Sequence, residues 1–372
     1  MSTLFRFFRK MLKGKMTKDS GKEEKKTEKE SARNSEIPLI NRVLPPEMLE
    51  KIFSQLSDPK DLNTVMLVCK TWNNLGGAPS LWSGVKIRKQ RQLTIKRFQG
   101  CEEIVFGNPW SRNKKGNVIV CWPKLCREVL QHPGLKKITL RPSDRTWGTF
   151  TKLEADLFTQ VLAKMEEIEI RPAVEIFSTA GRAVLKCVID AILDRPNNLK
   201  KLVKVNEYPT PVNSLRFVTA LNKIEILEVA LESHHCNMLF KAMVREDSCV
   251  KSLSLLNNLA LSKCEPDYLF GVFDKLREFG AASDPPYLPP PTPQVYPFPC
   301  QGPIPASRRD SPSEWVHLIR TLCEKIVSGT NLKKLRLRGL NDELSRVNWG
   351  TLSTMASKLE VLELSTWESS ST

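Results

Sequence analysis

His234, His235 and Cys236 put three metal-ligating side chains in consecutive positions. A zinc site needs a second ligand pair at a set spacing, and the chain supplies none. His132 stands alone. The ten cysteines form no C-x-x-C pair, which reads as reduced thiols of a cytoplasmic or nuclear protein. No P-loop, G-x-S-x-G or G-x-G-x-x-G string occurs. The expectation is a chain with no catalytic residues, no metal and no cofactor. Its chemistry would be that of binding, so the elements that present charged and apolar side chains come next.

The 372 residues carry 57 Lys+Arg against 41 Asp+Glu, a formal charge of +16. Residues 1–36 hold eleven basic and six acidic side chains, residues 37–82 four of each, and residues 83–118 nine and two. The long remainder is nearly balanced. Residues 1–16 mix Leu4, Phe5, Phe8 and Leu12 with four basic residues, a pattern able to make peripheral contact with an anionic membrane. Residues 17–36 contain no aliphatic or aromatic residue beyond Ala and read as disordered tail. No stretch reaches the 18 or so apolar residues of a membrane span.

Residues 37–82 turn apolar without net charge. Pro45 and Pro46 suit a helix entry, and Leu49, Ile52, Phe53 and Leu56 fall on one face. Asp58-Pro59 predicts a second helix, capped by Asp58 and stopped at Gly76-Gly77. Some fifteen large apolar side chains are too many for a module this small to cover, so part of this surface should meet another protein. The phrases L-P-x-E-x-L-x-x-I-F-x-x-L, D-P-x-D-L, V-C-x-x-W and L-W follow in order from Leu44 to Trp82. In these the segment resembles an F-box. The resemblance implies docking to the Skp adaptor, and through it to a cullin, with Leu44, Pro45, Leu49, Ile52, Phe53 and Leu56 as adaptor-binding residues. Val68, Cys69, Trp72 and Trp82 would divide between module core and interface.

From residue 83 a strand-like phrase, L-x-x-L-x-L, recurs. Clear copies start at Leu135, Met165, Ile224, Val250, Leu332 and Leu359, and weaker ones at Cys101, Leu199 and Leu276. Helical segments lie between them. A strand plus a helix at a period near 26 is the pattern of a leucine-rich repeat horseshoe. Lys204 departs from the pattern at a core position. One interval of 56 residues accommodates a Pro-rich insertion, 284–313, holding 11 of the 25 prolines. The fold class expected is α/β: a small all-α F-box module, then leucine-rich repeats over 83–372.

Within each phrase the intervening residue and the one after the last apolar position face the concave side. Arg141, Arg171, Arg336 and Arg338 fall there, and suit an acidic or phosphorylated protein substrate. The function expected is substrate recognition within a Skp–cullin–F-box ubiquitin ligase, without catalysis by this chain. The alternative is a non-ligase scaffold using the repeats and the Pro-rich loop. Nucleic acid is a poor fit, because the basic segment 83–118 interleaves few aromatics.

Overall fold

Pro46 opens the first described helix, α1 (Pro46–Ser54), and α2 (Pro59–Met66) follows, with Asp58 accepting a hydrogen bond from the Lys60 amide at 2.8 Å. In this computed structural model the described residues are 44–56, 58–106, 122–141, 150–171, 179–206, 214–245, 247–256, 261, 264–282, 312–338 and 348–365. The basic tail 1–36 and residues 284–311 of the Pro-rich insertion lie outside them. The chain divides into two units, Met1–Gly77 and Ala78–Thr372.

The described residues of the first unit form helices and their connections. One helix from Asp58 to Leu75 was the expectation; the structure has two. Cys69 is extended, and its Sγ accepts from the Trp72 amide at 3.5 Å, so it caps a new helix, α3 (Lys70–Gly76). A break here lets α3 fold back on α2. The approach is close: a Cβ on Gly76 would lie 2.6 Å from Met66 Cγ. Leu49, Phe53, Leu62 and Trp72 are each no more than 2% exposed, and form the core of the unit.

The second unit begins at Ala78, five residues before the expected boundary. Trp82 is fully buried, meets Phe98 edge to face at 5.0 Å and accepts at its carbonyl from Cys101 Sγ. The Arg97 guanidinium lies over both rings, at 4.8 and 5.1 Å. Trp82 therefore serves as the N-terminal cover of the strand array.

Ten parallel strands follow in strict chain order. They are β1 (Lys86–Ile87), β2 (Glu103–Phe106), β3 (Lys137–Leu140), β4 (Glu167–Ile170), β5 (Lys201–Asn206), β6 (Ile226–Ala230), β7 (Ser252–Leu255), β8 (Glu278–Ala282), β9 (Lys334–Arg338) and β10 (Val361–Ser365). From β2 onward each adjacent pair is joined by a helix: α4 (Trp122–Gln131), α5 (Lys152–Lys164), α6 (Thr179–Leu193), α7 (Ser214–Leu221), α8 (Ser233–Arg245), α9 (Pro266–Phe273), α10 (Pro312–Ser328) and α11 (Trp349–Ala356). An ordinary doubly wound sheet reverses its strand order part-way; this one does not. All nine sequence phrases become strands. β1 was not foreseen, since two residues carry no periodicity.

The middle apolar position of each phrase builds one continuous row. Ile104, Ile138 and Ile168 stand in register and are wholly buried, and Leu202, Leu227 and Leu253 continue the row at 1% exposure. At Lys204 the register between β5 and β6 shifts. Val203 pairs with Glu228 and Val205 with Val229, so Lys204 is the extra residue. Adjacent repeats are also tied at helix ends. Lys164, the last residue of α5, donates to the carbonyls of Val129, Leu130 and His132 at 3.2, 2.8 and 2.5 Å, which satisfies the C-terminus of α4.

Candidate binding surfaces

On α1 the residues Leu49 and Phe53 point inward, and Phe53 packs edge to face on Trp72 at 5.2 Å. Neither offers accessible surface in the unbound chain, unlike the other residues expected to bind the adaptor. The module needs them for its own core. Leu44, Ile52 and Leu56 are half-buried and Pro45 is exposed. At 100° per residue Pro45, Met48 and Ile52 share the flank beside the buried stripe. Met48 is 46% exposed there. Leu67, in the break between α2 and α3, is 82% exposed. Neither Met48 nor Leu67 belongs to the motif phrases, so motif reading passed over both; a helical projection would have found Met48.

Residues 42–88 match the family model of the F-box-like domain. The chain carries an F-box-like domain. The match runs eleven residues beyond the unit boundary, so it takes in Trp82 and β1, which pack with the strand array. A search of curated proteins found no match to the chain. The helices of the F-box-like domain leave apolar groups in solvent at one flank of α1 and at Leu67. Covering a Met or Leu in a partner contributes about 1.5–3 kcal/mol each.

The sheet face opposite the helices carries rows of charge. From β1 to β5 its first row alternates in sign, and Ile226 and Ser252 then interrupt it: Lys86 meets Glu103 at 2.8 Å, Lys137 meets Glu167 at 2.7 Å, and Lys201 meets Glu167 at 3.3 Å. Lys334 meets Glu278 at 2.6 Å. Burial draws the Lys137 ammonium down, but its hydrogen bond to Glu167 and the nearby Glu103 and Glu169 outweigh that and raise its pKa. One residue earlier, at the strand entrances, a second row pairs Lys136 with Glu102, Lys200 with Glu166, Lys251 with Glu225 and Lys333 with Glu360. Opposite charges on facing rungs fix strand register, because a slip would place like charges together.

The four arginines do not form a free cationic patch. Arg171 Nε donates to Glu169 at 2.7 Å, and this hydrogen bond raises the arginine's pKa. Glu169 is 4% exposed and also lies 3.7 Å from Lys137. Arg336 and Arg338 converge on Glu363, at 3.3 and 2.7 Å. Arg141 is exposed and makes no ion pair among the described residues. Glu169 and Glu363 were legible as face residues, but their pairing depends on which strand lies beside which. The basic segment 83–118 is likewise partly engaged, by Glu103 at Lys86 and by two rings at Arg97. Arg112, Lys114 and Lys115 lie outside the described residues.

Burial pushes the thiols of Cys101, Cys187 and Cys323 up to about 11 and that of Cys126 up to about 12. They stay protonated and are poor nucleophiles. His235 is buried against Phe217, whereas His234 is exposed beside Glu232. Among the described residues no three His, Cys, Asp or Glu side chains are grouped to hold a metal ion.

Proposed function

We propose that the chain is a substrate-recognition subunit of a Skp–cullin–F-box ubiquitin ligase, acting in the cytoplasm or nucleus. The F-box-like domain docks the Skp adaptor, and the strand array is a leucine-rich repeat that holds a protein substrate. The chain itself catalyses nothing; it brings a substrate to the transfer machinery. The observation that carries this reading is the F-box-like match over 42–88, together with apolar side chains that its helices leave in solvent, Leu67 above all. Leu44, Pro45, Met48, Ile52, Leu56 and Leu67 make up the adaptor surface in this reading. Leu49 and Phe53 support it from beneath.

At the strand exits Arg141 makes no ion pair among the described residues, while Arg171 is paired with Glu169, and Arg336 and Arg338 with Glu363. Such a face suits a substrate with charges of both signs set at strand spacing. Co-expression with the Skp adaptor tests the reading. Wild type should co-purify with it, and Met48→Asp with Leu67→Asp should abolish that without lowering the melting temperature. A wild-type chain that leaves the adaptor behind overturns the proposal.

A further inference from the structure

The entrance row of charges alternates in sign up to Lys251 and then breaks. The next residue is Arg277, the one after it Lys333, and alternation resumes at Glu360. These are adjacent rungs: the Arg277 amide donates to the Lys251 carbonyl at 2.8 Å, and the Lys333 amide to the Arg277 carbonyl at 2.8 Å. Three cations therefore stand side by side at strand spacing, about 4.8 Å apart. The outer two are held from outside, Lys251 by Glu225 and Lys333 by Glu360. Arg277 is exposed and has no ion pair among the described residues. Its chain neighbour Glu278 is engaged by Lys334, and nearby Asp274 by Lys325.

Like charges on facing rungs destabilise a sheet. A glutamate at 277 would continue the pattern and bridge two lysines, as Glu166 lies between Lys136 and Lys200. With arginine there, no carboxylate among the described residues bridges this rung, and a planar guanidinium built to take a carboxylate in two hydrogen bonds faces solvent. We propose that the Lys251–Arg277–Lys333 edge docks a carboxylate-rich segment of a protein partner, whose Asp or Glu takes the place that glutamates hold elsewhere in the row. The site lies at the strand entrances, apart from Arg141, Arg171 and Arg338 at the strand exits. It rests on the binding role of the repeats proposed above and adds the chemistry of the ligand.

The probe is a photo-cross-linkable peptide of six glutamates, applied to the full chain, with labelled positions read by mass spectrometry. Labelling is expected near residues 249–252, 275–278 and 331–334. It should fall at least about tenfold there in Arg277→Glu and Arg277→Gln. Arg88→Glu, with the same charge change as the first at a remote exposed site, should leave it unchanged. Arg277→Glu should melt no lower than wild type, since it restores alternation. Equal labelling in Arg277→Glu, labels confined to other basic segments, or stronger labelling by a phosphoserine peptide would overturn the proposal. The adaptor is not needed for this readout, so its failure and that of adaptor docking are separate results.

Discussion

Phe53 of α1 and Trp72 of α3 meet edge to face at 5.2 Å, both no more than 2% exposed. This contact joins the first and third helices of the F-box-like domain. Phe53→Ala should destabilise that unit by about 3–5 kcal/mol, the usual cost of emptying a buried aromatic site. Leu67→Asp should leave stability within about 0.5 kcal/mol, because the side chain is in solvent. Both should weaken adaptor binding. Hydrogen exchange of α1–α3 separates the causes: protection is lost in the first variant and kept in the second.

Among the described glycines, Gly100 makes the closest approach to neighbouring backbone. A Cβ there would lie 2.1 Å from the Pro79 carbonyl oxygen, and a backbone carbonyl cannot swing aside as a side chain can. Gly100→Ala should cost at least about 2 kcal/mol in chemical denaturation. Gly84→Ala, where nothing lies within 4 Å, is the matched control.

The charged rows predict coupling across strands. Lys137→Glu would place a carboxylate among Glu103, Glu167 and Glu169, and should destabilise the array by about 1–3 kcal/mol. Adding Glu167→Lys should recover part of that loss. A double-mutant cycle with no coupling energy would refute the idea that the rows help set register.

His132 predicts a pH dependence. It is 2% exposed, and its Nε2 lies 2.9 Å from the Phe98 carbonyl. Burial, with the Lys164 ammonium nearby, lowers its pKa below the ordinary 6.5 despite that backbone hydrogen bond. Below about 6.5 the unfolded chain binds a proton that the folded chain does not. Its contribution is thus complete above 6.5 and is lost as pH falls from there toward the folded pKa. Melting between pH 7.5 and 5 should show this fall, and His132→Gln should flatten it.

Much of this protein is written locally. The strand phrases and the helix of Pro46–Ser54 rest on apolar spacing, which reports the buried face of an element whatever it packs against. That is why nine strands and the helical start could be placed from residues alone. Other features needed a neighbour to exist first. Motif spacing put Leu49 and Phe53 with Ile52 as one surface, but only the return of α3 turns those two inward and leaves Met48 and Leu67 outside. Cys69 became a helix cap because the chain reverses there. The register shift at Lys204 exists only once β5 pairs with β6. Arg171, Arg336 and Arg338 read as free cations until strand order set Glu169 and Glu363 against them. Arg277 looked unexceptional until its rung was seen between two lysines. Periodicity is carried by the chain itself, whereas burial and charge pairing belong to whichever residues the fold brings into contact.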